Sequence, residues 1–292
     1  METPNPTPER ISPRLVPRVW GGVALRELAG ASPGAPIGEA WFGEANERAG
    51  DVLVKLLDVR ERLSVQVHPG DALAVELHGA GALGKHEAWV ILDAAPGAEL
   101  LLGRDAAAAP EALAAAVATG DGVERLLARL PVRAGDVFDV PAGMLHALLP
   151  GLLVWEVQQP SERTYRVADW GRDDPSRPLQ RTEALRALDV TAVAAPPARI
   201  DWARPGAQPL LSTQHFSVAA YIGPHRATIS ARGGVATLIA APPGAGGTPA
   251  AASIGGLPLR PLESARLADP TAVELPPGSA LLVAIGVSPA KV

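Results

Sequence analysis

The sequence predicts a mainly β fold: two antiparallel jelly-roll barrels in tandem, with a small helical insertion in the first. Three observations carry this expectation. Short apolar runs, most of them alternating, recur every few residues from residue 52 onward. The 292 residues include 30 glycines and 30 prolines, and many of these fall between the runs, where turns belong. Hydrophobic residues make up 47% of the chain but aromatics only 4%, so a real core exists and is built mostly from Val, Leu and Ala. Dense short strands joined by turns make double-sheet barrels, not helical bundles.

Residues 1–15 are polar and proline-rich and read as a loose tail or a surface strap. Segments 19–23 and 38–43 are short pieces with turn glycines. Strands are expected at 52–59, 63–68, 87–93, 100–103, 136–140, 152–158 and 165–169. Pro69-Gly70-Asp71, Ala95-Pro96-Gly97 and Ala134-Gly135-Asp136 are turns between them. The helical insertion covers about 106–130. Pro110 and Glu111 open a helix over 110–117, and Gly120-Asp121-Gly122 breaks it. Residues 123–130 read as a second short helix with Leu126, Leu127 and Leu130 on one side. A further helix is expected over 181–188, with Thr182 as its N-cap. After Ala194-Ala195-Pro196-Pro197 come strands at 215–222, 227–229, 235–240 and 280–285, with a flexible loop over 242–249. The expected organisation is a tail (1–15), a first barrel with the insertion (16–195), and a second barrel without metal ligands (196–292).

Composition narrows the function. The formal net charge is −5 and no long Lys/Arg run occurs, which argues against nucleic acid or an anionic membrane as partner. A few local cations would still suffice for a small anionic substrate. With no cysteine, disulfides, thiolate zinc sites and cysteine nucleophiles are all excluded. Any metal must be held by His, Glu, Asp or Gln. Met1-Glu2 leads into a proline-rich stretch without an apolar run, and no segment reaches the roughly 18 apolar residues of a membrane helix. A cytoplasmic protein is the expectation.

The chemistry concentrates in four segments. In Leu63-Ser-Val-Gln-Val-His-Pro69, side chains alternate, so Ser64, Gln66 and His68 face one way and Leu63, Val65 and Val67 the other. In Gly84-Lys-His-Glu87, Lys85 and Glu87 share a face. Pro141-Ala-Gly143 is a turn that delivers His146. Glu156, Glu162 and Arg166 follow in the fourth segment. Gln66, His68, Glu87 and His146 form an N2O2 donor set suited to zinc, with room for water or substrate. Taken singly, each reads as ordinary: a hydrogen-bonded histidine, a solvated carboxylate, a surface lysine. His78, His86, His215 and His225 lack such context and read as structural or surface residues.

Together the ordered segments Leu53-Val-Lys-Leu-Leu57, Leu63–Pro69, Gly84–Glu87, Pro141-Ala-Gly-Met-Leu-His-Ala147 and Glu156-Val-Gln-Gln-Pro-Ser-Glu-Arg-Thr-Tyr-Arg166 resemble type I phosphomannose isomerases in their short bacterial form. The likeness is good over about residues 15–172 and looser beyond. It implies tandem cupin barrels and a zinc enzyme with one Zn2+ per chain, interconverting mannose 6-phosphate and fructose 6-phosphate through a cis-enediol. It also implies Gln66, His68, Glu87 and His146 as zinc ligands, and Lys55, Ser64 and Lys85 as contacts to substrate or phosphate. Arg166 matches the family's active-site arginine, and Glu156 and Glu162 match its acidic positions. The proton-transferring base stays open between Glu156, Glu162 and a metal-bound water.

The chain departs from the family pattern in four places: Gly70-Asp71 after Pro69, His86 in place of Thr, Met144-Leu145 beside His146, and Glu162 in place of Asp. Two other readings compete, an iron-dependent cupin oxygenase and a non-catalytic cupin that binds sugar phosphates. The Gln-x-His pair disfavours the first, and the full set of lysine and arginine positions disfavours the second.

Overall fold

The computed structural model describes residues 7–29, 36–172, 174–241 and 252–288. The strands of the first half are β1 (Glu9–Ile11), β2 (Arg14–Gly22), β3 (Ile37–Phe42), β4 (Leu53–Val59), β5 (Val65–Val67), β6 (Glu87–Ala94), β7 (Glu99–Arg104), β8 (Leu127–Pro131), β9 (Asp136–Val140), β10 (His146–Leu148), β11 (Leu152–Gln158) and β12 (Tyr165–Ala168). The helices are α1 (Asp71–His78), α2 (Pro110–Thr119) and α3 (Arg181–Ala187). A seven-stranded sheet, ordered β13-β9-β6-β11-β4-β2-β3 with β13 at Ala198–Arg199, faces a five-stranded sheet, β12-β5-β10-β7-β8. Between them lies an interior of Leu57, Trp89, Ile91, Leu102, Phe138, Val140 and Val154.

The second half adds β14 (Gly206–Ser212), β15 (Phe216–Ile222), β16 (His225–Ile229), β17 (Val235–Ala240), β18 (Ala252–Ile254), β19 (Leu257–Leu259), β20 (Ser264–Arg266), β21 (Thr271–Leu275) and β22 (Ser279–Gly286). These make a six-stranded sheet, β1-β20-β17-β22-β15-β14, and a four-stranded one, β16-β21-β18-β19, around a second core that includes Ile229, Leu238, Leu259 and Leu281. The mainly β expectation holds.

The seven-stranded sheet is buried on both faces because both are covered. Val54, Leu56, Ala88, Val90, Trp155 and Val157 point out of the first barrel and pack on Phe216, Val218, Val235 and Leu282 of the second. The alternate positions, Lys55, Glu87, Trp89 and Glu156, therefore point into the first barrel. Trp155 Nε1 also donates to Thr237 Oγ1 across the contact, at 2.9 Å. On the five-stranded sheet, Val65, Val67, Leu101 and Ala147 face α2 and α3 through Leu113, Val117 and Ala184.

Four local expectations need correction or refinement. Residues 127–130 are not helical: a short 3-10 turn (Val123–Leu126) gives way to β8, paired with β7. After Gly122 too few residues remain to repay helix nucleation, and the free edge of β7 takes them. Thr182 is not the N-cap: α3 starts at Arg181 after Gln180, whose Oε1 accepts from Arg166 N at 3.0 Å. Strand β5 begins only at Val65, so alternation does not reach Leu63, which joins the barrel interior. The N-terminal segment is strand-forming: Glu9–Ile11 pairs with Ser264–Arg266 of the second barrel, and β2 joins the first barrel's sheet. The loop expected at 242–249 lies outside the described residues.

Candidate active site and metal centre

The first barrel encloses a cavity of about 110 Å³. Two turns aim its metal-side residues. In Pro141-Ala-Gly-Met144, Met144 N donates to Pro141 O at 3.1 Å, and Gly143 has φ +88°, a value suited to the third position of a type II turn. Gly143 N also donates to His68 O at 2.9 Å, which ties this turn to the end of β5. His146 then starts β10 directly opposite Gln66. On the other side, Gly84 packs against the Pro69–Asp71 backbone so closely that a Cβ would lie 2.7 Å from Pro69 O and Asp71 N. Lys85 N donates to Pro69 O at 3.0 Å, and Gly84 N to Asp71 Oδ1 at 2.7 Å. Lys85 and Glu87 are thereby brought up to His68.

His68, Glu87 and His146 are each 1% exposed, and their potential ligand atoms lie within 4.8 Å of one another. Both histidines contact backbone carbonyls through Nδ1, His68 to Arg163 O and His146 to Met144 O, each at 2.9 Å. With Nδ1–H donating, each Nε2 lone pair faces the other ligands. His68 Nε2 is 3.3 Å from Glu87 Oε1, and His146 Nε2 is 3.8 Å from Glu87 Oε2. Burial, then the Lys85 ammonium, pulls the pKa of His68 down to about 3. Burial likewise lowers that of His146. Both imidazoles are neutral at ordinary pH, as metal ligation requires. Burial pushes the Glu87 carboxyl up, but Lys85 and the histidines outweigh it and hold it well below the usual range. Neither Glu87 oxygen has a hydrogen-bond partner of good geometry among the described residues, although Lys85 Nζ makes a close ionic contact with Oε1. A buried carboxylate left in this state between two inward lone pairs fits a divalent cation. Gln66 is the less direct fit, since its Nε2 sits 3.3 Å from His146 Nε2 while its Oε1 accepts from Ser64 Oγ at 3.1 Å.

Beside this centre lies a second buried group. Lys55 Nζ is 3.2 Å from Glu156 Oε1, bonds Gln158 Oε1, and sits 4.5 Å over the Trp41 ring. Trp89 Nε1 donates to Glu156 Oε2 at 3.0 Å. Burial, then the Glu87 charge, raises the pKa of Glu156. Arg166 stands opposite Gln66 on β12 and lines the cavity, its pKa lowered by burial and then by Arg177. Glu162 lines the mouth, 61% exposed, 3.7 Å from Arg14.

All ten sequence-nominated residues are thus gathered here, but Glu162 lies apart from the buried cluster. His78 instead pairs with Tyr165 Oη, and His86 with Asp139. Sequence reasoning missed Arg18, Glu39, Trp41, Trp89 and Arg177, which also line the cavity. Glu39 accepts from Arg18 Nη2 and Trp41 Nε1, both at 2.8 Å. Alternation could have found Trp89, two residues after Glu87, and the Glu39/Trp41 pair.

No family model matches the chain. A probable mannose-6-phosphate isomerase of Bacillus subtilis is 36% identical over 216 residues, 63% of this chain and 68% of that protein. The chain belongs to the mannose-6-phosphate isomerase family. A mannose-6-phosphate isomerase of Streptococcus mutans is 38% identical over 173 residues, and that match spans only 54% of the relative's length. The crystal structure of the Bacillus subtilis mannose 6-phosphate isomerase superposes with a TM-score of 0.76 at 28% identity, over 96% of this chain and 99% of that one. The tandem-barrel architecture is therefore that of the mannose-6-phosphate isomerase family. Among the described residues, no helix is long and apolar enough to cross a membrane.

Proposed function

We propose that the chain is a zinc-dependent aldose–ketose isomerase that interconverts mannose 6-phosphate and fructose 6-phosphate through a cis-enediol. The observation that carries this reading is the Glu87 carboxylate, buried and lacking a well-formed hydrogen bond, between two neutral, inward-facing Nε2 atoms. His68, Glu87 and His146 would hold the ion, with Gln66 as fourth ligand once its amide oxygen is turned inward. When bound there, the ion would supply Lewis-acid polarisation of the sugar's carbonyl.

The remaining work falls to side chains. Isomerisation moves one proton from C2 to C1 and another from the C2 hydroxyl to the C1 oxygen, and the reverse in the other direction, so a base must take the first from one carbon and return it to the other. Glu156 is the base in this reading. It is buried within the cavity, held by Lys55 and Trp89, and its raised pKa makes it a stronger base than an ordinary carboxylate. Glu162, exposed at the mouth, is better placed to meet substrate on entry. Arg166 stays protonated and stabilises the charge that develops on oxygen. Ser64, Lys55 and Lys85 contact the sugar's polar groups. A charged sugar phosphate stays within the cell, so a cytoplasmic location fits, and recovery of the protein outside the cytoplasm on fractionation would contradict it.

The test is a coupled assay for fructose 6-phosphate with metal analysis, before and after chelation. Activity should vanish on chelation and return with zinc. Full activity in a metal-free preparation would overturn the reading.

A further inference from the structure

The cations expected to cradle a phosphate are already neutralised. Lys85 is in contact with Glu87, and Lys55 is held by Glu156 and Gln158. Three arginines line the cavity, Arg18, Arg166 and Arg177. Arg166 makes no side-chain hydrogen bond or ion pair among the described residues, and its buried Nε has no acceptor. Arg177, whose side chain is 13% exposed, spends only Nε, on Asp169 Oδ2 at 3.4 Å. Both of its Nη groups are without an acceptor among the described residues.

Strand register locates these groups. Arg166 lies opposite Gln66 and Ala168 opposite Val65, and Asp169 follows directly after β12. Asp169, 5% exposed, also binds Arg172 Nη2 at 2.9 Å and is firmly anchored. It holds Arg177 in the cavity wall. Arg18 lines the same cavity, but its charge faces the Glu39 carboxylate, to which Nη2 donates at 2.8 Å, whereas Asp169 is shared between Arg172 and Arg177.

We infer that Arg177 is the residue that selects for the phosphate: its free Nη groups form a seat for a phosphate dianion in the cavity wall. A guanidinium fork suits phosphate oxygens in paired hydrogen bonds, which a lysine cannot reproduce. The inference rests on the phosphosugar reading above for its substrate, but not for the existence of the anion seat.

The test uses the full-length chain and two variants, Arg177→Gln and Arg177→Lys, with inorganic phosphate titrated calorimetrically. The wild type should bind phosphate, Arg177→Gln at least about tenfold more weakly, and Arg177→Lys in between. For mannose 6-phosphate, KM of Arg177→Gln should rise about 10- to 100-fold while kcat stays within about threefold. Metal content should not change. Undiminished phosphate affinity in Arg177→Gln, or no phosphate binding by the wild type, overturns the inference. A fall in kcat with KM unchanged also overturns it, because Arg177 would then merely be holding Asp169 in place. If the wild type fails to isomerise mannose 6-phosphate, the isomerase reading falls, and the phosphate titration still decides the anion seat.

Discussion

Replacing Glu87 with Gln in metal-free protein isolates the electrostatics of the candidate centre. Lys85 is 5% exposed and Glu87 1%, and their contact is the main compensation for a buried ammonium. The Lys85 pKa is pulled down by burial, yet Glu87 first and Glu156 second more than restore it, so the charge stays. Glu87→Gln removes the nearer carboxylate and leaves Glu156, itself shared with Lys55. Breaking one side of a buried pair costs roughly 3–5 kcal/mol, and the adjoining cavity, which admits water, brings that to about 3 kcal/mol. At about 2 °C per kcal/mol for a chain of this size, Tm should fall by about 6 °C. The double variant Glu87→Gln/Lys85→Met removes both charges and should recover most of the loss. Calorimetry of the three proteins in chelator measures this. A single variant within about 1 °C of wild type, or a double variant no better than the single, would refute the argument.

Three further outcomes follow from the same geometry. His146→Ala should lose bound metal and activity together, read by elemental analysis beside the coupled assay; an active, metal-free variant would remove the ion from the mechanism. Arg166→Ala should keep its metal while turnover falls about 100-fold or more, since an electrostatic contact made at the reacting oxygen is lost; near-normal turnover would reassign Arg166. Burial raises the Glu39 carboxyl, but Lys55 and Arg18 together bring it below its ordinary value of 4.5. A lowered carboxylate pKa stabilises the fold above that ordinary value and ceases to do so as pH falls through the folded one. Tm of the wild type should therefore decline below pH 4.5 more steeply than that of Glu39→Gln, and parallel curves would show that Glu39 contributes nothing.

Much of the site was legible because its residues sit in short motifs whose geometry is local. Alternation alone aims Gln66 and His68 inward, and the Pro141-Ala-Gly143 turn alone announces a sharp delivery of His146. What escaped depends on partners distant in sequence. Leu63 looks like part of a strand until β5 is seen to start at Val65. Residues 127–131 have a helical apolar pattern, yet the edge of β7 claims them as a strand. Arg177 sits in a polar stretch with no periodicity, and Asp169, just past the end of β12, ties it to the cavity wall. Glu39 and Arg18 lie in segments that look like turns, because the pairing that makes them strands is with each other and with β4.

The contact between the two barrels changes what the boundary expected near residue 195 would mean. A fragment ending there would retain every nominated ligand and cationic side chain. It would also expose Val54, Leu56, Val90, Trp155 and Val157 to water along the backs of the strands that carry Lys55, Glu87 and Glu156. Such a contiguous apolar strip invites aggregation. The second barrel, which contributes no nominated ligand, is in this sense the outer wall of the reaction chamber, and the smallest working unit is the pair.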